Sequence, residues 1–584
     1  MKRTFNIFRN RATVITLTAL LWGSSILMYS CKDDFLNVPA AGQLSDAQLS
    51  SKAGVEGLLV GAYSVLLGRG IGDFYAGSSN WVGGSVQGGE ANKGTDAADQ
   101  AQANPVQRYE LLSTSNIPNF KWRGCYEGIA RCNATLRSLA KSIADITADD
   151  KKRMTGEARF LRGHYYFELQ KTFNKVPYID ENTAEPQKVA NSGLVWAQIE
   201  ADFKFAYDNL PETQGALGRA NKWAAGIYLG KAQLFQKKFA DALVLFNAAI
   251  TNGKTTGGAK YGLAAKFNDA FNVETENNSE HVFSVQAAVN TGTVNNAQPD
   301  FVLNFTYTSP AVGCCGFFQP SIEMGNSYRT DATGLPYLDG SYNTAGKAVK
   351  HDQGVAGAAA YTVDADNVDP RIDHTMGRRG IPYLDWGKHP GTGWVREQSD
   401  AGPYSPKKFM ISKAQMAGYT DGSSWTRGYT ALNYPVIRFA DVLLMAAECE
   451  VEANNAAGLP KALDYVNQVR TRAGNTAGFV MDGAVPAAKY VIANYPSFAD
   501  KATAVKAIRF ERKLELSQEG HRFYDLNRWG VAATELNAYL NYEKQILVAR
   551  FGGATFTAGK AEIWPIPQAQ IDLQPGILTQ NPGY

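Results

Sequence analysis

The chain has 584 residues, 45% of them hydrophobic, enough for more than one packed substructure. Its 58 Lys and Arg face 55 Asp and Glu, and residues 1–30 hold four of the basic ones and none of the acidic. The remainder therefore carries 54 against 55, a balance that gives nucleic acid no electrostatic footing.

Lys2, Arg3, Arg9 and Arg11 precede an apolar stretch from Ala12 to Met28, followed by Ser30 and Cys31. A basic n-region, a short apolar h-region and a small residue before a cysteine form the pattern of a bacterial lipoprotein signal. Cleavage before Cys31 would leave its thiol at the new N-terminus to take the lipid. The stretch is broken by Ser, Thr and Gly and falls short of the roughly 20 apolar residues of a membrane span. A signal peptide over 1–30, a lipid anchor on Cys31 and work outside the cytoplasm are expected. No other segment is apolar enough to cross a bilayer.

Asp46 to Leu67 carries Leu49, Val55, Leu58, Leu59, Ala62 and Val65 at a helical period. A polar, Gly-rich loop is predicted from Gly68 to about Asn104. Helical patterns resume over Phe120–Ile143, Asp149–Phe173, Trp196–Leu210, Lys222–Gln236 and Phe239–Thr251. In the last two, Ala225, Gly230, Ala232 and Ala242 would let helices approach while Trp223, Tyr228 and Phe239 fill the gaps, as in a tetratricopeptide pair. A similar pair recurs at Val436–Glu452 and Pro460–Arg472, so the stack would be assembled from both ends of the chain. Between Phe301 and Asn433 glycines and aromatics abound, sustained period is lacking, and turn signals such as Asp369-Pro370 and His389-Pro390-Gly391 recur. A loop region this long is usually functional.

Candidate chemistry is sparse. Cys125 and Cys132 are seven apart on one predicted helix, roughly 10 Å along its axis and too far for a bridge. Cys314 and Cys315 are adjacent in a loop, no CxxC pair argues for a zinc cage, and buried free thiols are expected, Cys449 included. His164, His281, His351, His374, His389 and His521 show no metal-ligand spacing, and no GxSxG elbow occurs. Gly253-Lys254-Thr255 mimics the end of a phosphate loop, but the required earlier glycine is Ala248. Glu519, Arg522, Asp525 and Arg528 can pair along one helix at their spacing of three, and they are read as architecture, like Glu157, Arg159 and Arg162.

The family resemblance rests on motifs spread along the chain. Cys31-Lys32-Asp33-Asp34-Phe35-Leu36-Asn37-Val38-Pro39 resembles the mature start of SusD/RagB-type lipoproteins. Trp122-Arg123-Gly124-Cys125-Tyr126 through Asn133, and Glu157-Ala158-Arg159-Phe160-Leu161-Arg162 through Phe167 with Val176-Pro177, are similar to their first helices. Arg438-Phe439-Ala440-Asp441-Val442-Leu443-Leu444, Glu515 with Glu519-Gly520-His521-Arg522, Asp525-Leu526, Arg528-Trp529-Gly530, Ile563-Trp564-Pro565-Ile566-Pro567 and Asn581-Pro582-Gly583-Tyr584 continue the likeness in the family's order. The resemblance implies a mostly α-helical SusD-like fold, with tetratricopeptide-like helix pairs as scaffold and an inserted loop-rich, aromatic-rich subdomain. Its parts would be residues 31–270, an irregular subdomain over 271–433, and a C-terminal helical part over 434–584. It further implies a surface-facing outer-membrane lipoprotein, not an enzyme, that captures a nutrient and delivers it to a SusC-like TonB-dependent transporter. No cofactor follows from it, and whether a Ca²⁺ steadies the loops is left open.

An oligosaccharide is the leading ligand, with a peptide as in RagB-type members, or glycoside hydrolysis by converging carboxylates, as alternatives. A sugar presents an apolar C–H face, on which an aromatic ring stacks, and a rim of hydroxyls for amides and charged groups. Loops offering that mixture hold Tyr75, Asn80 and Trp81, then Tyr383 and Trp386, then Trp394 and Arg396, then Trp425. These eight are the candidate ligand contacts, and the four tryptophans are expected to meet on one face. The charged run from Asp369 to Arg379 could serve an anionic sugar or a peptide, or could pin its loop.

Overall fold

The computed structural model describes residues 44–584 apart from 71, 143 and 144. The expected signal segment and Cys31 lie outside the described residues.

Helices form where the apolar period is 3.6, and a polar side chain caps the start of some of them. The Ser51 hydroxyl accepts the Gly54 N–H at the head of α1 (Lys52–Ser64). After α2 (Asn116–Ala140), Thr147 caps α3 (Ala148–Phe173), and Asp149 and Asp150 sit in its first turn, where the helix dipole favours them. Then come α4 (Trp196–Asn209), α5 (Lys222–Phe235) and α6 (Phe239–Asn252), each packed on its predecessor. Small residues set the close approach: a Cβ on Gly230 would stand 2.9 Å from the Phe246 ring, and one on Gly128 would overlap that of Tyr165. Although the whole middle segment intervenes, α6 packs on α7 (Phe439–Asn454), which is followed by α8 (Leu459–Ala473) and α9 (Lys501–Glu515). One helical stack thus runs past the insert. Shorter helices α10 (Arg522–Trp529) and α11 (Ala532–Glu543) complete the return.

Two antiparallel strand pairs anchor the middle. Strand β1 (Ala91–Gly94) pairs with β3 (Phe317–Pro320), and β2 (His281–Val285) with β4 (Tyr434–Arg438). The second pair clamps the two ends of the insert together. It also corrects the sequence reading, which began a helix at Val436: the chain is a strand there and turns helical only at Phe439. Between 286 and 433 the described residues form β3, helices of six residues or fewer and two-residue strands.

The stretch from Gly68 to Asn104, expected as a polar, Gly-rich loop, instead holds buried regular structure. Trp81–Val86 forms a buried π-helical turn leading into β1, itself wholly buried. Its glycines serve close packing, since a Cβ on Gly84 would overlap the Gly520 carbonyl and stand 2.6 Å from the Gly520 Cα.

A buried ion network ties the insert to the helices. Arg371 holds Asp369 at 2.7 Å, Glu511 at 2.6 Å and Glu515 at 3.0 Å. Arg438 holds Glu519 at 2.7 Å and Glu515 at 3.0 Å, and also Glu280. Arg470 and Arg472 on α8 bind Glu511 and Glu280, each at 2.8 Å. The run from Asp369 therefore pins its segment, with Arg378 on Asp373 at 2.7 Å and Arg379 donating to the carbonyls of Ala356, Gly357 and Ala359. Along Glu519, Arg522, Asp525 and Arg528, the expected pairing within one helix holds for Asp525–Arg528 at 2.8 Å. Arg528 also reaches Glu448 on α7, while Arg522 goes to Glu535 on α11 at 3.6 Å and Glu519 to Arg438 at 2.7 Å. Glu157 meets Arg153 and Arg219, while Arg159 and Arg162 share Asp202.

Cys125, Cys132 and Cys449 are buried free thiols. Cys314 and Cys315 instead form a disulfide with each other, across a cis peptide. Helical spacing sets no limit on cysteines adjacent in the chain.

Candidate functional site

A cleft of about 980 Å³ opens on the insert, lined by Asn290, Val312–Cys314, Lys413, Met416, Ala417 and the loop from Thr420 to Arg427. By volume it lies within the range of pockets that seat small molecules. The loop is closed at its base like a hairpin: Asp421 N–H donates to the Tyr429 carbonyl and Ala431 N–H to that of Tyr419, both at 2.9 Å. Asp421 stitches it further. Its carboxylate accepts the Ser423 hydroxyl at 2.6 Å, the Ser423 N–H at 2.9 Å and the Asn290 N–H at 2.9 Å. The Ser423 hydroxyl and then the Asn290 amide hold its pKa below the usual carboxylate value. Asn290 returns the contact by accepting the Gly422 N–H at 3.3 Å.

On this braced loop stands Trp425, 60% exposed. The buried Tyr429 ring meets it in a T-shaped contact at 6.4 Å between centroids. One flank of the indole is thus positioned from below, while most of its surface faces solvent. Lys413, Arg427 and Asn290 are also exposed. A platform ring, an amide and two cations around one concavity can bind a flat-faced, hydroxyl-rimmed ligand. Asp421 is the one carboxylate among the lining residues, whereas glycoside hydrolysis uses a pair. Among the described residues no group of three or more His, Cys, Asp or Glu is placed to hold a metal.

Of the eight sequence candidates, Trp425 lines the cleft and the others do not. Trp81 is 1% exposed, packed edge-on against Phe317 and Phe318, its indole N–H given to the Phe74 carbonyl. Tyr75 is buried beside it and donates to Gln100. Asn80 is partly buried, with its amide oxygen accepting from the Lys121 ammonium at 2.8 Å. Rings without an exposed face cannot stack on a sugar, so this first loop is core. Tyr383, wholly buried, and Trp394 cluster with Phe305, Ala311 and Met410, and Trp386 packs against them, its N–H on the Ile411 carbonyl at 3.1 Å. Val312 rests on the same cluster and lines the cleft, so these rings carry the cleft's wall from behind. Arg396 is committed to Asp96 at 2.8 Å and Asp99 at 2.7 Å. The four tryptophans therefore do not meet on one face. Asn290 and Cys314, far from Trp425 in sequence, and Lys413, twelve residues before it, carried no local signal, whereas Arg427 stands two residues after it.

A second hollow, of about 460 Å³, lies against α2, lined by Trp122, Arg123, Tyr126 and Glu127 with Pro177 and Gln570 among others. Trp122 is nearly buried and the Tyr126 hydroxyl is bonded to the Pro177 carbonyl, leaving little aromatic surface to offer.

Residues 279–584 match the family model described as SusD family, and residues 35–234 that described as starch-binding associating with outer membrane. SusD-like protein P25 of Formosa agariphila is 24% identical over 587 residues, covering 95% of this chain and 97% of that one. Among solved structures, a SusD superfamily protein from Bacteroides vulgatus superposes with a TM-score of 0.65 at 21% identity, covering 91% of this chain and 99% of that one. Surface glycan-binding protein A from Bacteroides thetaiotaomicron, solved with laminarihexaose, gives 0.60 at 19% identity with the same coverages.

Proposed function

The chain belongs to the SusD family, and on that premise we propose that it is a glycan-capture lipoprotein of the outer membrane. It binds an oligosaccharide in the insert's cleft and passes it to a SusC-like TonB-dependent transporter. Cys31 bears the lipid and the cleft faces the cell exterior. The protein binds without cleaving.

The observation that carries the reading is Trp425, an indole held out at the mouth of the cleft by a loop braced through Asp421 and Tyr429. Burying so large a ring would normally stabilise the fold, and its exposure beside an amide and two cations suits a sugar's face and rim. The solved relative that holds laminarihexaose supports an oligosaccharide as the ligand class. The single carboxylate of the cleft supports binding over hydrolysis.

Trp425→Ala is expected to leave the unfolding transition unchanged and to weaken oligosaccharide binding about tenfold, the equivalent of about 1.4 kcal/mol for a lost ring contact. Isothermal titration with a panel of oligosaccharides, laminarihexaose included, checks it. Wild-type affinity in the variant, or a blank panel together with heat from peptide mixtures, would refute it.

A further inference from the structure

We propose that the ligand is an anionic glycan, whose carboxylate or sulfate group is gripped by Arg427 and Lys413. This rests on the cleft reading above and names the class of sugar the cleft takes.

Lys413 and Arg427 both line the cleft and are exposed, and neither has a carboxylate partner among the described residues. Arg396 and Lys388 on the same insert do have one, on Asp96 at 2.8 Å and Asp482 at 2.6 Å, while the exposed Lys350 lies over the Tyr361 ring. Nor are acids missing from the neighbourhood. Asp385 accepts the backbone N–H of Lys413 at 2.5 Å and that of Ala414 at 2.9 Å, ignoring the ammonium. Asp421, within the cleft, gives its oxygens to Ser423 and Asn290. Both carboxylates shape backbone and leave the two cations open to a ligand. With Asp421 ionised, the lining still carries one net positive charge.

A neutral sugar would use those cations only as hydrogen-bond donors. An anion would form charge-assisted bonds, and the guanidinium can engage a carboxylate or sulfate through two parallel N–H donors. Arg427 lies two residues from Trp425, so one loop supplies both the stacking ring and the anion clamp. A uronic acid or a sulfate ester on the stacked or the neighbouring sugar satisfies both.

The test compares tetragalacturonate, a sulfated carrageenan tetrasaccharide and neutral laminarihexaose on wild type, Trp425→Ala, Arg427→Gln and Lys413→Gln. All three altered side chains are exposed, and thermal unfolding verifies that each variant folds. One of the two anionic probes should bind, the responding one distinguishing carboxylate from sulfate. That binding should weaken about tenfold in each cation variant and fall as salt rises from roughly 20 to roughly 200 mM. Binding of laminarihexaose that Trp425→Ala weakens and the cation variants leave untouched would overturn the anionic assignment while sparing the cleft. Wild-type binding in all three variants, or no binding of any probe, would overturn both.

Discussion

Replacing Arg438 with Met should destabilise the protein by about 3–5 kcal/mol, the range found when one member of a buried ion pair is removed. Arg438 is 1% exposed at the end of β4, and its guanidinium serves Glu280, Glu515 and Glu519 at once. Methionine fills much of the volume but leaves three carboxylates short of their shared partner in a low-dielectric interior. The urea midpoint should fall clearly below wild type, and an unchanged midpoint would refute the role given to the network. The same network sets a pH dependence. Burial by itself would raise the pKa of Glu515, but Arg472, Arg438 and Arg371 outweigh it and hold it well below the ordinary glutamate value of 4.5. A depressed carboxylate contributes stability that is full above the unfolded-state pKa and is lost as pH falls through the folded one. Stability from this group should therefore hold at neutral pH and drain away below about pH 4.5.

Gly84→Ala should cost about 3 kcal/mol or more, opposite in sign to what helix propensity alone implies. The π-helical turn Trp81–Val86 lies against the segment before α10, where the added methyl would overlap backbone rather than a movable side chain. Gly520 is itself in the left-handed region at φ +76°, so neither strand of chain can retreat cheaply. Gly57, on the exposed side of α1 with nothing within 4 Å of its missing Cβ, is the control. Gly57→Ala should stabilise by about 0.4–1 kcal/mol through the unfolded chain. Thermal melts of the two variants moving in opposite directions would confirm the packing argument, and both moving up would contradict it.

These cases mark what could be seen in the sequence. The helical stack was legible because its signals are local: the period of Asp149–Phe173 reappears as α3 within a residue. Strand β4 was not, because Tyr434-Pro435-Val436-Ile437-Arg438 runs into a helical pattern and its partner lies some 150 residues away. Gly83 and Gly84 read as loop because glycine marks both a turn and a close backbone contact, and only the contact with Gly520 separates the two. Among the aromatic loops, Trp425 looked no different from Trp386 and Trp394. Exposure is decided by what packs on a ring, and the cluster around Tyr383 and Phe305 gathers segments remote in sequence. The cleft's other walls, Asn290 and Cys314, were invisible for the same reason.

A crystal structure of the protein with a bound oligosaccharide tests most directly where the sugar sits. It should show a sugar ring stacked on the exposed face of Trp425, carbons at roughly 3.5–4.0 Å, with hydroxyls or an anionic substituent reaching Asn290, Lys413 and Arg427. Sugar seated instead in the hollow beside Trp122 and Tyr126, with the Trp425 cleft empty, would contradict it.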